Sequence, residues 1–285
     1  MKQNVKLQLN QAHSRLTNNL LTAAIAAFAG VAGLMGAQPA LAQSAKPTVF
    51  QAAGPSVASI QSTVDQFRAA LGAVNNGNNP ADPDGRGRRE INWDGGNPAI
   101  TTTSLGGTPF TVFLATRGAN ITTPGTGFVQ ATPQGLADTF GNPSYATIFH
   151  TFSPSRLFSP IGSNVTEIEF FVPGGNNIPA AVTGFGVVLN DVDAPDGTAP
   201  GSRSGNRHAS TRVEFFGADG NLLFTSPAPA APGSGNQSFL GIAFADARIA
   251  RVRITAGDVA PGRNDGRLDI VMMDDFLYGE PTPLN

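Results

Sequence analysis

From Ile91 onward the apolar residues come in short runs, several alternating with polar ones, and Gly, Pro, Asn and Asp separate the runs. A period of two marks a strand with one wet face, and the separators are turn residues. In Val165–Val172, Ile168 and Phe170 alternate with Glu167 and Glu169. Ala181–Val192 is nearly apolar throughout, by way of Phe185, Val187 and Leu189. Arg212–Phe216 and Asn221–Phe224 flank Gly217-Ala-Asp-Gly220, and Asp-Gly between apolar runs predicts a hairpin. Thr108–Ala115, Ser238–Phe244, Arg248–Thr255 and Asp269–Tyr278 complete the expected strands. No helix-periodic segment is evident between them, which excludes a parallel α/β sheet and points to an antiparallel sandwich or barrel. Asp outnumbers Glu 15 to 5. Because Glu favours helices and Asp favours turns, that ratio points the same way.

The N-terminus has a different character. Lys2, Lys6 and Arg15 precede an apolar run over Leu20–Ala37, and Ala40 and Ala42 form an A-x-A pattern before Gln43. This is the order of a secretory signal peptide, so residues 1–42 are expected to be removed on export. The remainder carries 15 basic and 20 acidic residues, a formal charge of about −5, and its basic residues are 14 Arg and Lys46. No basic stripe forms, so nucleic acid is not an expected partner. The expectation is a secreted, periplasmic or extracellular protein whose mature form has no membrane anchor. Cysteine is absent, but a chain of this length can bury an adequate core without disulfides.

Residues 43–55 show no periodicity. Within Ser56–Gly72, Ile60, Val64, Phe67 and Leu71 fall on one helical face, and Gly72 suits a C-terminal cap. Asn75–Gly85 is built of turn residues. Residues 43–85 are therefore expected to be one short helix and a flexible linker outside the sandwich, with the β domain spanning 86–285.

Several stretches together carry a resemblance: Arg88–Gly95, Pro124–Phe128, Phe149–Pro154, Gly184–Asp193, Ser238–Phe244 and Val271–Pro281. Over roughly residues 86–281 the chain resembles a group of bacterial secreted proteins, many bearing a PEP-CTERM sorting tail. That resemblance implies a jelly-roll sandwich ending in an Asp-Asp-Phe strand. The sorting tail itself is missing from Glu280–Asn285. The ending is also similar to that of calcium-binding jelly rolls, including MAM-like and carbohydrate-binding modules. There, carboxylates near the first strand and on the last strand share an ion. The matching positions are Glu90 or Asp94 early, and Asp274 or Asp275 late.

The last strand makes the sharpest physical demand. Asp269–Tyr278 is apolar on both faces, yet Asp274 and Asp275 sit within it. A buried, unpaired carboxylate costs several kcal/mol or stays protonated. Two partners are available: Arg251 or Arg253 on the preceding strand, or a calcium ion also held by Asp191 and Asp193, whose i, i+2 spacing puts them on one strand face. Asp82–Gly85 and Arg263–Gly266 read as turns. Only His150 and His208 lie beyond the signal segment, which makes zinc improbable, and no nucleophile motif is present. Trp93 is the only Trp and is a weak candidate for stacking on a sugar. The expected function is non-catalytic: a binding or structural module, calcium-stabilised, with an extracellular or cell-surface polysaccharide as partner. The alternative is a carbohydrate-active enzyme such as a glycoside hydrolase, for which Glu167 and Glu169 are the nearest carboxylate pair.

Overall fold

The computed structural model describes residues 46–95, 104–193, 211–263 and 268–284. The expected signal segment, residues 194–210 with His208, and part of the expected Arg263–Gly266 turn lie outside the described residues. The elements begin with β1 (Thr48–Gly54), α1 (Val57–Leu71), β2 (Arg88–Ile91), β3 (Ser104–Gly106), α2 (Leu114–Arg117), β4 (Ala119–Thr122) and β5 (Gly127–Ala131). Next come α3 (Pro133–Phe140), α4 (Tyr145–Ile148), β6 (Leu157–Ile161), β7 (Val165–Phe170), β8 (Ala180–Ala181) and β9 (Gly184–Asn190). The chain closes with β10 (Arg212–Phe216), β11 (Leu222–Pro227), β12 (Gln237–Ala243), β13 (Arg251–Thr255), β14 (Met272–Gly279) and β15 (Thr282–Pro283).

Two antiparallel sheets form the body. One has eight strands in the order β1-β12-β9-β14-β6-β5-β3, with β2 also paired to β14; the other has five, β11-β10-β13-β7-β4. Their facing surfaces share one core: Ile121, Ile168, Val213 and Val252 from the five-stranded sheet meet Phe185, Val187, Leu240 and Phe276 from the eight-stranded one. The all-β sandwich expectation holds. The Arg212–Phe216 and Leu222–Pro227 hairpin forms as predicted. Thr108–Ala115 does not form the expected strand; it holds a single bridge at Phe110 before α2 starts. Two short helices, α3 and α4, also stand between β5 and β6 where no helical period was evident. Thr132 caps α3 by accepting the Gly135 N–H, and Pro133 takes its first position. Among the described residues no helix is long and apolar enough to cross a membrane.

The eight-stranded sheet is covered on its outer face as well. Ile60, Val64, Phe67 and Leu71 of α1 pack on Val188, Phe239 and Leu277. Further along that sheet, Leu136 and Tyr145 from the α3–α4 region meet Val129, Leu157 and Met272. The docking of α1 depends on two glycines. Gly186 and Gly241 pair across β9 and β12, and a Cβ on either would lie within 3 Å of the Phe67 ring. Phe67 thus fills the gap that the missing side chains leave.

Residues 43–85 are consequently not an appendage. β1 pairs along all seven of its residues with β12, from Thr48↔Ala243 to Gly54↔Gln237. The described residues belong to one compact unit, so a domain limit at residue 86 would cut through the main sheet. The turn-rich linker is pinned as well. Arg89, fully buried, meets Glu280 through Nε (2.8 Å) and Nη2 (2.6 Å), and also donates to the carbonyls of Gly77, Asn79, Pro80 and Thr116. Glu280 in turn accepts from the Asn76 side chain and the Asp82 N–H. Asp82 closes a turn on the N–H groups of Asp84 and Arg86.

Two outcomes follow. A fragment starting at residue 86 loses β1 and α1, and its thermal melt should be broad and non-cooperative where the longer chain melts sharply. Arg89→Ala leaves Glu280 charged and buried, so denaturant unfolding should show a loss of about 3–5 kcal/mol.

Candidate functional site

The two aspartates of β14 sit in a β-bulge. On β9, Leu189 pairs with Met273 and Val187 with Phe276, and the register shifts between them. Asp274 and Asp275 therefore lie opposite Val188 alone. A bulge reverses the alternation of faces. Accordingly Met273 and Phe276, which strict alternation would put on opposite faces, share the inter-sheet core, while Met272 and Leu277 face the outer clusters. The bulge also takes a carbonyl out of the ladder, and Trp93 answers it: its Nε1 donates to the Asp274 carbonyl at 2.9 Å. Trp93 is 1% exposed, stacked on Phe158 at 3.6 Å between ring centres. It belongs to the core and presents no face to a sugar. Tyr145 and Tyr278 are buried too, so every Trp and Tyr of the chain is internal.

Both carboxyl groups reach the same serine. Ser153 Oγ lies 2.6 Å from Asp275 Oδ1, 3.3 Å from Asp274 Oδ1 and 3.1 Å from Asp94 Oδ2, with the Asn92 carbonyl at 3.5 Å. Asp94 is fixed by its other oxygen, which accepts the N–H groups of Ser155 and Arg156 at 2.6 and 2.8 Å. Asp274 Oδ2 accepts the Phe152 N–H at 2.6 Å. Asp274 and Asp275 are both buried, whereas Asp94 and Ser153 are partly open to solvent. Burial, and then the charge of Asp275, push the Asp274 carboxyl well above its ordinary range. Burial raises Asp275 as well, against the Ser153 hydroxyl, which favours its ionised form.

Arg68 on α1, the arginine beside Asp275, is already committed, and the buried Arg156 spends Nη1 on the Trp93 and Gly95 carbonyls flanking Asp94. Arg68 grips Glu90 through Nε (3.2 Å) and Nη2 (2.9 Å) and Asp65 through Nη1 (3.0 Å), and stands 3.9 Å from Asp275. Glu90 also takes Arg88 at 2.7 Å. Glu90 is therefore an ion-pair partner at the margin of the acidic group, neutralised by two arginines. Arg251 and Arg253, the arginines expected to meet Asp274 or Asp275, belong to β13 in the other sheet, where both bind Glu167, at 3.4 and 2.6 Å.

Asp191 and Asp193 do not join this group. β9 ends at Asn190, and Asp191 has φ +71°, so the i, i+2 spacing no longer gives a shared strand face. Their acidic neighbour is Asp269, whose Oδ1 accepts the Asp193 N–H at 3.3 Å. Burial first, then the charges of Asp193 and Asp269, raise the Asp191 carboxyl to about 7. The structure thus brings together Asp94, Asp274 and Asp275 of the predicted residues. It adds Ser153, from the Phe149–Pro154 stretch, whose residue type and spacing carry no ligand signal. Among the described residues no group of three or more His, Cys, Asp or Glu side chains is placed to hold a metal ion. No protein-family model matches the chain, and neither the curated proteins nor the solved structures contain a match.

Raised carboxyl groups set a pH dependence of definite sign. Unfolded aspartates ionise near pH 3.8, while the buried ones hold their protons to higher pH. The unfolded state then binds fewer protons than the native state, so stability falls as pH rises. In chelator, Asp191 alone should contribute a fall of about 1.4 kcal/mol per pH unit between roughly pH 4 and 7. Denaturation of Asp191→Asn across that range should show a shallower slope than the wild type.

Proposed function

We propose that this protein is an exported, non-catalytic β-sandwich module of jelly-roll type with a binding or structural role, stabilised by calcium at Asp94, Asp274 and Asp275. One observation carries the reading: a single serine hydroxyl, with one proton to donate, lies among three carboxylates and a backbone carbonyl. Hydrogen bonds cannot satisfy that many acceptors unless a carboxyl keeps a proton. A hard cation satisfies them all at once, and calcium accepts six to eight oxygens from carboxylates, carbonyls and water in flexible geometry. The donor set is all oxygen, which suits calcium better than zinc. Asp94, Asp274, Asp275, the Asn92 carbonyl and Ser153 are the groups that would hold it. In the absence of calcium, burial and the adjoining Asp275 charge favour a proton on Asp274.

Further support comes from the stretches that carry the resemblance. Arg88–Gly95, Phe149–Pro154 and Val271–Pro281 are distant in sequence and meet at this one point. The N-terminal charge and A-x-A pattern support export. Glu167 is held by Arg253 and Arg251, and the Trp and Tyr rings are buried, so this reading rests on neither Glu167 as a catalytic carboxylate nor Trp93 as a stacking surface.

Thermal melts in chelator and in ~10 mM calcium test it. With a Kd near ~10⁻⁴ M the native state gains about 2.7 kcal/mol, a rise of roughly 5–10 °C for a domain of this size. Asp94→Asn should lose that gain while remaining folded. A wild type whose melting point ignores calcium, or an Asp94→Asn protein that keeps the full rise, contradicts the proposal.

A further inference from the structure

A second group of acidic residues lies where β9 ends, and its central oxygen has no partner. Asp191 is 8% exposed, and its Oδ1 is buried without a hydrogen bond. The backbone of Asp191 is fixed in the left-handed region, with its N–H on the Asn236 carbonyl at 2.9 Å. That conformation is uncommon for a residue with a side chain, and here it turns the carboxylate out of the strand's alternation. The Gly235 backbone favours the ionised form of the carboxylate, but less than burial and the neighbouring charges oppose it. Asp193 follows, with Oδ1 on the Gly233 N–H at 2.8 Å. Asp269, 3% exposed, contributes a further negative charge and fixes the Asp193 backbone at 3.3 Å.

We infer that Asp191 and Asp193 form a second calcium site, separate from the one at Asp94, Asp274 and Asp275. A buried carboxylate oxygen without a donor costs free energy that only a proton or a cation recovers. A proton on Asp191 neutralises one charge and leaves that of Asp193 beside it. A divalent cation neutralises Asp191 and Asp193 together, and hard carboxylate oxygens with carbonyls and water completing the shell suit calcium. This inference stands on different residues from the proposed function and does not depend on it.

Isothermal titration of the purified protein with calcium chloride separates the two. The wild type should bind two ions per chain, Asp191→Asn one, and Asp275→Asn one. Asn keeps the shape of Asp191 and removes its charge. Asp193→Asn, at an exposed position, is the second variant and should weaken the same site about tenfold or more. A single ion that survives Asp191→Asn and is lost in Asp275→Asn overturns this inference and leaves the proposed function standing. A single ion lost in Asp191→Asn and kept in Asp275→Asn does the reverse. No binding at all by the wild type overturns both.

Discussion

The burial of β14 on both faces is the constraint from which the rest of the structure follows. All eight of its residues, Met272–Gly279, are buried. One face closes the core against the five-stranded sheet. The other would lie in water unless something covered it, and α1 and the α3–α4 region do so. Each large apolar side chain that α1 buries stabilises the fold by about 1.5–3 kcal/mol, and Phe67 reaches the sheet because Gly186 and Gly241 leave it room. The helices are thus required by the strand and are not additions to a finished sandwich.

Burial on both sides also decides how charge is handled. The centre of the protein contains two solutions. At one end of β14, Glu280 meets the buried Arg89, whose guanidinium is spent on one carboxylate and four carbonyls. That pair ties the 75–87 segment to the last long strand with nearly every polar atom satisfied. In the middle, Asp274 and Asp275 have no arginine of their own; Arg68 is occupied by Glu90 and Asp65. A backbone N–H and one hydroxyl do not suffice for two ionised groups. The difference between the two sites is the physical reason for giving a structural role to the first and proposing an ion at the second.

Much of this was legible in the sequence, and what was not has specific causes. The alternation in Val165–Phe170 and the Asp-Gly hairpin gave their strands directly, and the apolar flanks of Asp274 and Asp275 announced their burial. β1 was missed because an edge strand has half its residues in solvent; in Thr48–Gly54 only Phe50 and a few small residues turn inward, leaving little periodicity. The helical face of α1 was readable, but its docking site was not, because it consists of absent side chains at Gly186 and Gly241. The partners of Asp274 and Asp275 were obscured by the bulge. Face assignment by parity separates those two residues, whereas the bulge turns both toward Ser153. Parity likewise misplaced Asp191 and Asp193, since the strand ends one residue too early and Asp191 turns left-handed. Asp94 was identified through the resemblance; its distance from β14 in sequence is closed only by the fold.

The central claim is that the buried carboxyl groups of β14 cannot stand bare: a proton occupies them until calcium displaces it. Infrared difference spectroscopy reads this directly, because a protonated carboxyl has a carbonyl stretch that an ionised one lacks. At neutral pH in chelator the account predicts a protonated carboxyl band that Asp274→Asn diminishes, and the same band should bleach when calcium is added to the wild type. A band unchanged by saturating calcium, or no protonated carboxyl in chelator, would contradict it.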